Sequence, residues 1–163
     1  MTYLMVHHIV VGDDDDPLGS DTRHRLMLNS FLADGEYARL VFEMVFAQIY
    51  PKFGASLAAA EAAGDLAPMP VQHENRFWFG QHVGAMIACV SLSGRPAAPY
   101  RGGRDQIIRV AAWFILRGLG LKDAAIAAHY DGEKLAALAR SFTRTPGEAP
   151  SNAEARPGAS EEA

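Results

Sequence analysis

The segment 36–50 constrains the fold of this chain more than any other part of it. Tyr37, Leu40, Val41, Phe42, Met44, Val45, Phe46 and Ile49 leave it apolar on nearly every side of a helix. Such a helix is stable in water only at the centre of a core or with its outer face shared with another chain. Gly35 marks its start, and Pro51 ends or kinks it. A short alanine-rich continuation over 55–63 closes at Gly64. With 49% hydrophobic residues in 163, the chain has the material for such a core.

The neighbouring segments read as further helices. Ser20 or Asp21 can cap a helix running to about residue 34, with Leu26, Met27, Phe31 and Leu32 on its apolar face. Residues 65–71, with Pro68 and Pro70, form a loop. Between 73 and 93, Phe79, Val83, Met86, Ile87 and Val90 recur at helical spacing. Gly80 and Gly84, four apart in that helix, would let another helix approach closely. Residues 3–11, rich in β-branched side chains, read as a short N-terminal β-strand. No other segment offers that strand a partner, so it pairs between copies, or else it is an apolar segment laid across the helices. The four aspartates at 13–16 before Pro17 lack the alternating oxygen ligands and glycine of a calcium loop and read as a solvated acidic turn. Residues 145–163 have no apolar periodicity and are expected to be disordered.

The net charge of −4 conceals a division along the chain. Residues 1–94 carry five Lys/Arg against eleven Asp/Glu, residues 95–146 nine against four, and residues 147–163 one against four. A basic segment on an acidic body orients a molecule on a polyanion, because the body is repelled and the segment attracted. The expected organisation is an acidic helical body over 1–94, a basic module over 95–144 and a tail over 145–163.

Within the module three short helices are expected, over 105–117, 121–130 and 133–142. Ile107, Ile108, Ala111, Ala112, Phe114 and Ile115 face inward from the first, with Trp113 nearby. Leu121, Ala125, Ile126 and Tyr130 do so from the second, and Leu135, Leu138 and Phe142 from the third. Gly118 and Gly120 bracket one turn, and Asp131-Gly132 makes the other. Through the run from Leu121 to Tyr130, this stretch of about forty residues resembles the general helix-turn-helix superfamily. Ile126-Ala127 stand where that superfamily carries an Ile-Ala pair, whose alanine packs against the recognition helix. Asp131-Gly132-Glu133 depart from its usual Gly-Val-Ser turn. The resemblance implies a mainly α protein, a helical bundle with a C-terminal helix-turn-helix, whose third helix enters the major groove. On that reading Glu133 and Lys134 lie near base edges, Lys122 lies on the second helix, and Arg140 and Arg144 reach phosphates. Arg95, Arg101 and Arg104 form an arginine-bearing arm before the first of the three helices. The third helix is poor in Asn, Gln and Ser, so direct base readout is thin.

The remaining signals exclude more than they assign. One cysteine, Cys89, rules out an internal disulfide and a thiolate-rich zinc site, and its apolar neighbours make it a small hydrophobe rather than a nucleophile. His73 and His82 are nine apart and face different ways on a helix, and His7-His8 point apart, so neither pair makes a metal site. Arg76 is expected to cap or snorkel. No apolar run spans a membrane and no signal peptide opens the chain, so a cytoplasmic protein is expected. The function expected is that of a bacterial-type, non-enzymatic DNA-binding transcriptional regulator without metal or cofactor, working as a homodimer because a single short helix gives little affinity. The alternative is a non-enzymatic protein-interaction adaptor that uses helix 36–50 and a Phe77-Trp78-Phe79 surface to hold a protein partner.

Overall fold

The structure is a computed structural model that describes residues 1–11, 17–93 and 95–143. The acidic run at 13–16, Arg144 and the tail expected over 145–163 lie outside the described residues. The described chain is mainly α, with seven helices and no strand. They are α1 (Thr2–Val11), α2 (Pro17–Leu32), α3 (Glu36–Ala62), α4 (His73–Cys89), α5 (Arg104–Gly118), α6 (Asp123–His129) and α7 (Gly132–Thr143).

The expected N-terminal strand is a helix. A lone strand leaves its backbone groups to find partners elsewhere, whereas a helix satisfies most of them within itself. The helical turn brings Tyr3 and Val6, three apart, onto one buried side, and Val10 packs beside the same core. The second reading of these residues therefore holds: α1 lies across α4 and α5 and also touches α7. Tyr3, Val6, Phe77, Ile108 and Ala136 belong to one buried cluster, so the core runs through both the acidic and the basic parts of the chain.

The glycines of α4 do what their spacing suggested, each for a different helix. A methyl placed on Gly80 would lie 3.0 Å from Ile115 of α5, and one on Gly84 would lie 3.3 Å from Ile9 of α1. This close approach also corrects which side of α4 is buried. Phe77, Gly80, Gly84, Ile87 and Ala88 face inward, while Phe79 and Met86, expected inside, are exposed. The small-residue stripe lets backbones approach, and the large side chains are left on the outer side.

Two expected boundaries also shift. Helix α2 begins at Pro17 rather than after Ser20 or Asp21, a position where proline's missing N–H costs nothing. Helix α3 passes through Pro51 and ends at Ala62, where Gly64 turns the chain at φ +75°. Pro51 forfeits one helical hydrogen bond, but Phe53 and Leu57 beyond it are buried and anchor the second half. The centre of this region is Phe77, with ring centroids 5.2 Å from Phe53, 5.7 Å from Tyr50 and 5.9 Å from Phe46.

Candidate nucleic-acid interface

The three C-terminal helices are present close to their expected bounds. Helix α6 alone is shorter than expected, because Leu121 leaves it to form an antiparallel bridge with Leu66. Ala67 N–H donates to the Gly120 carbonyl at 2.8 Å, and Lys122 N–H to the Asp65 carbonyl at 2.9 Å, extending that contact. Gly120 makes the turn at φ +98°, a conformation other residues rarely adopt. Asp131 caps α7, its Oδ1 accepting from the Glu133 and Lys134 amides at 3.1 and 3.0 Å.

The buried sides of these helices partly differ from expectation. Ile108, Ala111, Ala112 and Ile115 of α5 are buried, as are Ala125 and Ile126 of α6. Phe114 is exposed, and so is Trp113, which lies beneath the Arg117 guanidinium at 5.8 Å. Helix α7 turns Ala136 and Ala139 inward and leaves Leu138 exposed; the Phe142 side chain lies outside the described residues. Alanines on that side permit close contact with α1, which is the main neighbour of α7. Ala127, the alanine expected to pack against the recognition helix, is itself exposed.

The cations of the module fall into two groups. Arg109 pairs with Glu133, so that glutamate is held by α5 and does not project freely toward a groove. Arg117 pairs with Asp123 at 2.8 Å. Lys122 donates from Nζ to the Gly64 carbonyl at 2.6 Å. By contrast, Arg95, Arg101, Arg104 and Lys134 are exposed, and among the described residues none of them makes an ion pair. Three of these four stand in the ten residues that end at the first position of α5. The N-cap there, Gly103, supplies no side-chain hydrogen bond to the first-turn amides. Lys134 stands apart, in an open polar cleft at the α6–α7 turn together with His129, Asp131 and Glu133. The Arg140 side chain lies outside the described residues.

Arg76 has a structural role, as expected of a capping residue. It is buried and donates to three backbone carbonyls, Val71 at 2.8 Å, Leu119 at 3.1 Å and Met69 at 3.2 Å. It thereby ties the 65–72 loop to the α5–α6 turn. The Phe77-Trp78-Phe79 surface does not exist as one surface: Phe77 is in the core, Trp78 is half-buried and Phe79 is exposed. Cys89 is half-buried, and burial pushes its thiol pKa up, which disfavours the reactive thiolate. Among the described residues no three metal-ligating side chains converge, and no helix is long and apolar enough to cross a membrane.

No family model, curated protein or solved structure matches this chain.

Proposed function

We propose that this protein is a cytoplasmic, non-enzymatic DNA-binding transcriptional regulator that holds the duplex mainly by its phosphates. The observation that carries this reading is that Arg95, Arg101 and Arg104, in the ten residues leading into the N-terminus of α5, are exposed and, among the described residues, make no ion pair. A cation at that end of a helix opposes the helix dipole and is locally unfavourable. An anion placed there satisfies the arginines and the uncapped first-turn amides together. The phosphate backbone is the polyanion that fits a protein with an acidic body and one basic segment.

On this reading α7 contributes less than a typical recognition helix. Its exposed residues with described side chains are Glu133, Lys134, Ala137, Leu138 and Ser141, and of these only Lys134 is a cation. Sequence discrimination is accordingly weak and backbone contact dominates. The first test is retention of the full chain on a duplex-DNA column at low salt. Retention that is lost on raising the salt is expected; passage of the folded protein straight through the column would overturn the reading.

A further inference from the structure

The closed end of the α2–α3 hairpin presents an apolar surface to solvent. Leu32 is the last residue of α2, and Tyr37, Leu40 and Met44 follow at i, i+3 and i+7 along one face of α3. On the opposite side of α3, Phe31 stacks on Phe42 with ring centroids 6.0 Å apart. Leu32, Tyr37, Leu40 and Met44 are between 36% and 87% exposed. Taking roughly 200 Å² for each large side chain fully exposed, these four present about 500 Å² of apolar surface. That lies in the upper half of the range for the largest apolar patch on a typical monomer, roughly 300–600 Å². One side of a standard protein–protein interface covers about 800 Å², of which somewhat over half is apolar. The face is therefore large enough for a stable interface.

Beside it runs a groove of about 530 Å³ with Phe31, Phe42, Phe46 and Trp78 among its walls and Arg39 and Glu43 lining it as well. Arg39 and Glu43 are four apart on α3, and among the described residues neither makes an ion pair.

We infer that this face binds a second copy of the same chain, the two α3 helices meeting antiparallel about a two-fold axis. These two charges favour a copy over a foreign partner. A partner of one charge sign would satisfy Arg39 or Glu43 and repel the other. A two-fold antiparallel contact sets each copy's Arg39 beside the other's Glu43 and closes both pairs at once. This is the second of the two outcomes open to an all-round apolar helix, a face shared with another chain. It stands independently of the DNA reading.

Sedimentation of the full chain without DNA tests it, over about 1 to 100 µM. The expected mass rises from 17.6 kDa and levels off at twice that value. Leu40→Glu should hold the single-copy mass throughout, with helical content and melting little changed, because Leu40 is a surface residue. Arg39→Glu or Glu43→Arg alone should weaken association about tenfold, and an equimolar mixture of the two should restore it as a mixed pair. If Leu40→Glu does not fold, the wild-type series and the charge mixture decide the matter. A single-copy mass at every concentration, a mass that climbs past two copies, or charge variants without effect would each overturn the inference. A dimer that ignores DNA contradicts the proposed function alone, and a monomer that binds DNA contradicts this inference alone.

Discussion

Lys122 donates from its ammonium to the Gly64 carbonyl at 2.6 Å, so a cation of the basic module neutralises the C-terminal end of α3. The last carbonyls of a helix carry partial negative charge, and a cation there stabilises by about 0.3–1 kcal/mol. In the sequence Lys122 reads as one more positive charge for a polyanion. In the fold it fastens the start of α6 to the body. Lys122→Ala should lower the melting temperature by roughly 1–4 °C. It should leave the salt dependence of DNA binding unchanged, which a titration in parallel with wild type would check.

Arg76 makes a stronger bond between the same two regions, because its guanidinium is buried among three carbonyls. Arg76→Met keeps the aliphatic volume but removes all the donors, leaving those carbonyls to find others. The expected cost is about 2–4 kcal/mol, read from chemical denaturation. Arg76→Lys should recover only part of it, since one ammonium cannot reproduce the planar fork that serves the Val71, Leu119 and Met69 carbonyls. Full recovery by lysine would show that charge alone matters there.

Three of the helical glycines, Gly54, Gly80 and Gly84, should respond to alanine in a set order. Gly54 in α3 has open space around it, so Gly54→Ala gains helix propensity, about 0.5–1 kcal/mol, with no opposing clash. Gly84→Ala gains the same but must displace the end of the Ile9 side chain, and should come out near neutral. Gly80→Ala presses on the branched Ile115, itself buried, and should be the least stable of the three. Thermal melts of the three variants check the order, and a Gly80→Ala protein more stable than Gly54→Ala would contradict the packing described.

Tyr130 links stability to alkaline pH. Its hydroxyl donates to the Arg109 carbonyl at 2.8 Å. Burial first, and then the neighbouring Tyr3, push its pKa up to about 12, against a lowering pull from Arg109. The folded state therefore holds this proton more tightly than the unfolded chain, whose tyrosines titrate near 10. The contribution is complete below pH 10 and is lost as pH rises from 10 through 12. Tyr130→Phe should show a shallower loss of stability than wild type across that window; identical slopes would mean that Tyr130 is not protected by the fold.

The helical class, the order of the helices after residue 36, the three short C-terminal helices and the packing role of Gly80 and Gly84 were all legible from spacing. Large apolar side chains do not mark the buried faces of these helices: Phe79, Met86, Phe114 and Leu138 are exposed while glycines and alanines occupy the helix contacts. Residues 3–11 have strand-like composition, and only their contacts with α4 and α5 reveal a helix. For the site, the sequence identifies cations but not which of them are occupied. Lys122 and Glu133 are engaged by Gly64 and Arg109, partners 58 and 24 residues away, and no local pattern predicts such pairs.

The most direct measurement is the affinity of the full chain for a short duplex as a function of salt, for wild type and for Arg101→Ala combined with Arg104→Ala. Each phosphate contact contributes about 0.9 to the slope of log K against log salt, so losing two arginines should flatten it by roughly 1.8 per copy. Binding with that reduction places the duplex against the N-terminus of α5. An unchanged slope, or no binding by wild type at low salt, would contradict the assignment.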